Sequence, residues 1–311
     1  MPRGLEHLYD LIRAPEQSLR GVFLNKTEGG ATATFQKFEL SSGTAKFVDF
    51  AHANQLIGSG THGQVYSLCD HRNPQYCLKA SRAGELFSIE RELISLRSLT
   101  AGDADTPDQI PRLLSMGRLQ LSIRKSTVAV PAFLFEPLGV VATTVFRTFV
   151  GNELEEGALK AWKDISTAMV YSHKKNIFQL DCRPPDIIYD KTKDVFVLGD
   201  WSSSAVIVGN KRIKGFRGSL PFASSKVHKF SFNSGWMPRP EFDKASLGFT
   251  IVALIAKESV PWSGFSERIR DSDDQRFVQR REIASAFLKE SNLEAGSLGE
   301  ILESFDGKDK H

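Results

Sequence analysis

The hydropathy pattern of this chain changes period at Pro137-Leu138-Gly139. Ahead of that point, from Asn54 to about Glu136, short β-rich runs alternate with turn residues: NQLIGSG, QVYSLCD, QYCLKAS, RLLSMGRLQLSI and VAVPAFLFEP. One helical stretch interrupts them, GELFSIERELISLRSL, with Leu86, Ile89, Leu93, Leu96 and Leu99 at three- and four-residue spacing. Beyond it the pattern is helical: LEEGALKAWKDISTAMVYSHKKN is amphipathic, EFDKASLGFTIVALIAKES is apolar nearly all round, and two more helical segments run from about Asp273 to Phe305. Strands gathered on one side of a connector and helices on the other predict an α+β chain. The expected organisation is a β-rich N-lobe over 54–136, a connector over 136–139 and a larger helical C-lobe over 140–311. Residues 1–53 read as an extension. A short amphipathic stretch over 5–12 precedes ATATFQKFELSSGTAKFVDF, whose alternation around Ser-Ser-Gly predicts a β-hairpin.

The overall composition narrows the class. Charged residues at 25% and hydrophobic ones at 41% are ordinary for a globular chain. A net charge of +3 is too mild to argue for a nucleic-acid or membrane partner. Cys69, Cys77 and Cys182 make neither a paired framework nor a metal-ligand spacing, which fits reduced thiols. The first residues carry charges throughout and lack the apolar core of a signal peptide, and no apolar run reaches membrane-spanning length. The expectation is a soluble intracellular protein, cytoplasmic or nuclear, or a secreted effector had an upstream leader been removed.

Several motifs carry chemistry in a fixed chain order. GSGTHGQV, residues 58–65, fits G-x-G-x-x-G-x-V and leads into a strand rather than the helix a dinucleotide fold requires. Such a hairpin suits a flap over nucleotide phosphates. Lys79 lies within the apolar strand YCLKA, and Glu92 shares the helical stripe of Ile89, Leu96 and Leu99. An acid on a buried stripe is costly unless paired, so a Lys79–Glu92 pair is expected, with Glu90, off the stripe, as the competing partner. In FQLDCRPPDIIYDKTKDVFVLGDWSSS, Asp181 is placed to accept or orient a hydroxyl proton, Arg183 to neutralise a γ-phosphate, and Asp186 and Asp200 to ligate a magnesium ion.

Together these motifs resemble the eukaryotic-type protein kinases, from about Asn54 to Trp262, and most closely a divergent branch similar to fungal-type and oomycete crinkler-type kinase domains. The resemblance implies a two-lobed fold that binds ATP with Mg²⁺ or Mn²⁺ and phosphorylates serine or threonine of a protein substrate. It implies a nucleotide site at Gly58, Ser59, Gly60, Gly63, Val65, Cys77, Lys79 and Glu92, with adenine on backbone groups of Glu136 and Leu138 in FLFEPLG. Lys79, Asp181 and Arg183 would be catalytic, and Asp186 and Asp200 would hold the metal. GSLPFAS, with Ser219, resembles the segment that seats a peptide, and FDKASLG the start of a buried helix whose Asp243 braces the catalytic loop.

The departures are specific. Gln179-Leu180 stand where His-Arg precede the catalytic acid, so no arginine is available there to read a phosphorylated loop. Asp186 replaces an asparagine, Trp201-Ser202 replace Phe-Gly, and Ser224-Ser225-Lys226 replace Ala-Pro-Glu. The basic stretch KRIKGFR, residues 211–217, suits acidic substrates. Ser202, Ser203, Ser204, Ser224 and Ser225 are candidate modification sites, Trp201 a candidate gate, and Trp162, Trp236 and Trp262 packing residues. Two other readings stand beside the protein kinase: a catalytically silent nucleotide-binding scaffold, and a small-molecule kinase, which generally lacks a peptide-seating segment.

Overall fold

The computed structural model describes residues 32–38, 45–49, 55–59, 63–70, 73–81, 86–100, 104–123, 126–210, 212–224, 226–227, 235–257, 260–262, 274–290 and 299–306. The amphipathic stretch expected over 5–12 lies outside them. The architecture is α+β, and the chain divides into two compact units, residues 1–100 with 112–138 and residues 101–111 with 139–311.

The first unit is a seven-stranded antiparallel sheet with one helix. Its strands are β1 (Thr32–Phe38), β2 (Ala45–Asp49), β3 (Gln55–Ser59), β4 (Gly63–Asp70), β5 (Asn73–Ser81), β6 (Arg112–Ile123) and β7 (Ser126–Glu136), in spatial order β2-β1-β6-β7-β5-β4-β3. β1 and β2 pair as a hairpin, with Phe35 opposite Val48. That hairpin does not stand apart, because β1 also pairs along its length with β6, from Thr32 opposite Ser122 to Phe38 opposite Met116. Helix α1 (Leu86–Thr100) packs on β5, β6 and β7. Its periodic stripe is the buried one: Ile89, Leu93, Leu96 and Leu99 are all inside.

The second unit is mainly helical, with α2 (Ala142–Thr148), α3 (Asn152–Lys174), α4 (Pro240–Ala256), α5 (Asp274–Glu290) and α6 (Gly299–Asp306). α3 buries Ala158, Ala161, Trp162, Ile165, Ala168 and Met169, one face at helical spacing, against α4 and a strand beneath it. α4 starts with Pro240 at its first turn, where a missing N–H costs nothing, and is buried from Phe242 to Ile255 except Lys244. An isolated helix so apolar would be insoluble; here α3, α5 and α6 cover it. Among the described residues no helix is long and apolar enough to cross a membrane.

Short strands complete this unit. β8 (Val140–Val141), β10 (Ile187–Asp190) and β11 (Val195–Leu198) form one sheet, and β9 (Ile177–Phe178) pairs with β12 (Ala205–Val206). β10 and β11 are a hairpin in which Ile187 opposes Leu198, and the Gly199 N–H donates to the Asp186 carbonyl at 2.7 Å. That register sets Asp186, just before β10, beside Asp200, just after β11. Trp162, Trp236 and Trp262 are core residues as expected.

Candidate functional site

In the first unit the two ends of the glycine motif lie on the paired strands β3 and β4. Gly58 opposes Val65 and Ser59 opposes Gln64 across β3 and β4. Gly63 has a reason internal to the sheet: a Cβ there would lie 2.8 Å from the Ala80 carbonyl oxygen. Its lack of a side chain is therefore required by close strand approach, whatever the hairpin covers. Gly60 lies outside the described residues.

Lys79 sits on β5 opposite Val65 and Phe133, in the middle of the sheet, and is buried. Its Nζ is 2.6 Å from Glu92 Oε2, so the partner supplied by α1 is the acid on the apolar stripe and not Glu90. Both side chains are more than nine-tenths buried. Two desolvated ions persist in such a place only as a pair. Two residues away along β5, Cys77 is buried, and burial pushes its thiol up to about 12, so it is an inert packing group whose Sγ approaches the Pro137 carbonyl at 3.6 Å. Glu136, at the end of β7, is 3.7 Å from Arg112, and Leu138 is half-buried.

In the second unit four charged side chains meet. Arg183 is the hub. Its Nε donates to Asp186 Oδ2 at 2.8 Å and its Nη2 to Asp186 Oδ1 at 3.2 Å, a two-pronged pair. The same guanidinium lies 3.5 Å from Asp181 Oδ1 and 3.9 Å from Asp200 Oδ2. Burial works to lower the Arg183 pKa, but Asp186, Asp181 and Asp200 outweigh it and hold the group above its ordinary value. Burial and then Asp200 push Asp186 upward, and Arg183 is the chief group opposing them.

Asp181 is raised by burial first; Arg183 and hydrogen bonds from Ser219 and Ser203 pull the other way, and Asp200 adds to the rise. Ser203 Oγ lies 3.4 Å from Asp181 Oδ2. Among the described residues, buried Asp181 Oδ1 accepts no hydrogen bond, with Arg183 Nε 3.5 Å away. Gln179 couples two of the acids through one amide: its Oε1 accepts the Asp181 N–H at 2.7 Å and its Nε2 donates to the Asp200 carbonyl at 3.1 Å. Both Leu180 and Asp200 have positive φ, 68° and 46°, and aspartate tolerates that region far better than leucine.

The strained loop is over-determined from below by one face of α4. Asp243, fully buried, accepts the N–H of Gln179 at 3.0 Å and of Leu180 at 2.8 Å, and meets His173 Nε2 at 2.8 Å. Ser246 and Thr250 both donate to the Cys182 carbonyl, at 3.1 and 2.7 Å. His173, at the end of α3, stacks on Phe178. Only Asp243 of this α4 row stood out in the sequence. Its companions were signalled by polar residues recurring at three- and four-residue spacing in an otherwise apolar helix.

Leu180, where the resemblance expects a basic reader, is instead buried in an apolar cluster with Phe178, Ala205, Ile213, Val227, Trp236 and Phe242. Gly218 lets the chain return over this loop: its φ is +103°, and a Cβ there would be 2.2 Å from the Leu180 carbonyl oxygen. Ser219 follows it, and its hydroxyl is among the groups that hold the Asp181 pKa down against burial. Arg280 of α5, unmarked in the sequence, anchors this stretch. It is buried, donates to the carbonyls of Leu220, Pro221 and Ala223, and lies 3.9 Å over the Phe249 ring. Trp201 is fully buried, with its indole N–H given to the Leu198 carbonyl. Ser202, Ser203, Ser204 and Ser224 are buried, which removes them as accessible modification sites; Ser225 is outside the described residues.

The second unit thus gathers Asp181, Arg183, Asp186 and Asp200, and the first unit pairs Lys79 with Glu92. Arg183, expected at a γ-phosphate, is turned onto Asp186. Among the described residues no group of three or more His, Cys, Asp and Glu side chains is arranged to hold a metal ion by itself. No protein-family model matches this chain.

Proposed function

We propose that this chain is a protein kinase with the two-lobed kinase-like fold, transferring the γ-phosphate of ATP to serine or threonine of a protein. The observation that carries the reading is the state of Asp181. Among the described residues its buried Oδ1 has no hydrogen-bond donor; it lies beside a guanidinium and next to a second acid held in register through Gln179. A buried acceptor left unsatisfied is expensive, and an incoming hydroxyl would satisfy it.

Phosphoryl transfer asks a protein mainly for positioning and charge. Asp181 orients the acceptor hydroxyl and takes its proton. Its burial keeps the carboxyl more basic than an exposed aspartate, which favours that acceptance. Lys79, held rigidly by Glu92, grips the α- and β-phosphates, and the 58–65 hairpin covers them with backbone N–H groups. Backbone groups of Glu136 and Leu138 bind adenine. Ser219 fixes the Asp181 carboxylate and belongs to the segment that would seat the peptide.

The donors fit a hard divalent cation. Asp200 is a partly exposed carboxylate beside a second acid, and Mg²⁺ needs only one or two carboxylates when phosphates and water complete its shell. Such an ion supplies neutralisation of the charge that builds on the transferring phosphoryl group. Asp200 would hold it, with the Ser202 N–H at 3.2 Å fixing the other carboxylate oxygen.

The test is transfer of γ-phosphate to generic acidic and basic proteins, with Asp181→Asn as control. We expect transfer that falls about 10²–10⁴-fold in the variant with nucleotide affinity nearly unchanged. Nucleotide binding without transfer would favour the scaffold reading, and transfer insensitive to Asp181 would overturn the assignment.

A further inference from the structure

Resting on the kinase reading above, we infer that Arg183 is a built-in cation occupying the Asp186 position, so that the site takes one divalent ion per nucleotide, on Asp200, rather than two. Asp186 is already engaged by Arg183. Both of its carboxylate oxygens receive Arg183 N–H groups, at 2.8 and 3.2 Å, and the side chain is 7% exposed. A guanidinium matches a carboxylate edge to edge, with two parallel bonds that a spherical ion cannot reproduce. Asp186 is also rigid. Arg183 and Asp186 flank a single turn, the Asp186 N–H donates to the Arg183 carbonyl at 3.0 Å, and Pro184 lies between them within the turn. The pair is therefore local and preformed, and needs no ligand to assemble it.

For a metal ion to use Asp186, Arg183 would have to leave. The departing guanidinium is about one-third exposed and is surrounded by Asp181, Asp186 and Asp200, so it would remain close to the incoming cation and repel it. Mg²⁺ adds its own reluctance to shed water. Asp200 is held less closely by the arginine: its Oδ2 is 3.9 Å from Arg183, and its side chain is about a quarter exposed where Asp186 is 7% exposed. An aspartate at position 186, which by itself looks like a stronger metal ligand, is thus turned inward by the arginine three residues before it.

The experiment is metal counting, with no turnover required. Full-length protein saturated with a non-hydrolysable ATP analogue is titrated with Mn²⁺, and bound ions per bound nucleotide are read by electron paramagnetic resonance. We expect one ion for the native chain, one for Asp186→Asn, and loss of that ion, seen as a drop on the order of tenfold or more in its affinity, for Asp200→Asn. Arg183→Gln, with Asp186 retained, should admit a second, weaker ion. Two ions on the native chain, or loss of the single ion in Asp186→Asn, would overturn the inference while leaving the kinase reading intact. The native and Asp186→Asn counts decide the matter even if Arg183→Gln fails to fold. Absence of any metal-dependent nucleotide binding would instead refute the kinase reading, and this inference with it.

Discussion

Removing the Asp243 carboxylate should uncouple the loop that carries Asp181 from the helix beneath it, and the cost can be worked from its bonds. Oδ2 accepts the Gln179 N–H and meets His173, while Oδ1 accepts the Leu180 N–H. The side chain is fully buried and the two backbone donors have no water to turn to. Leaving a buried donor unsatisfied costs about 1–3 kcal/mol, so Asp243→Ala, which orphans two, should cost roughly 2–6 kcal/mol. An asparagine side chain in the same place retains one acceptor oxygen but presents an NH₂ where the other stood. Asp243→Asn therefore loses one bond and should cost about 1–3 kcal/mol, near half the alanine value. For a domain of this size each kcal/mol lowers Tm by about 2–4 °C. Urea unfolding followed by tryptophan fluorescence checks both variants, since Trp236 packs on Phe242 next to the substituted position. Unchanged m-values would locate the loss in the native state. Asp243→Ala within about 1 kcal/mol of native would refute the bracing role. Equal losses for the alanine and asparagine variants would refute the oxygen-by-oxygen assignment.

Other outcomes follow from the same geometry. Lys79→Met should destabilise the fold by up to roughly 3–5 kcal/mol, because it strips buried Glu92 of its 2.6 Å partner. Lys79→Met with Glu92→Leu should recover most of that loss in urea unfolding, whereas transfer stays abolished in both. Because burial raises Asp181 and the carboxylate form is the one that accepts a proton, the transfer rate should fall with decreasing pH at a limb above the ordinary aspartate range. Ser219→Ala should move that limb higher still, since the Ser219 hydrogen bond favours the charged form; a limb that moves down would show that the hydroxyl acts otherwise. Arg280→Met should loosen residues 219–223, read as faster amide exchange there, and should weaken peptide phosphorylation more than nucleotide binding.

How much of this was legible depended on the range of each interaction. Period alone located the strands of the first unit, α1 with its buried stripe, and the apolar helix α4, because alternation and three-four spacing are properties of neighbouring residues. The same local logic singled out Glu92 against Glu90: an acid on a buried stripe demands a cation, and Lys79 stood in the adjacent apolar strand. Asp181, Asp186 and Asp200 were marked as chemical residues by their types and order. Their mutual geometry was not, because it depends on the β10–β11 register, which sets Asp186 beside Asp200 across a hairpin. Nor could the sequence say which acid Arg183 would take, since three carboxylates compete for one guanidinium and the turn at Pro184 settles it. Leu180 looked only like a missing arginine; its burial against Trp236 and Phe242 is a contact between segments far apart in the chain. The pairing of β1 with β6 and the grip of Arg280 on residues 220–223 are of the same kind. Backbone carbonyls and strand edges carry no residue-specific signal, so their partners emerge only when the chain is folded around them.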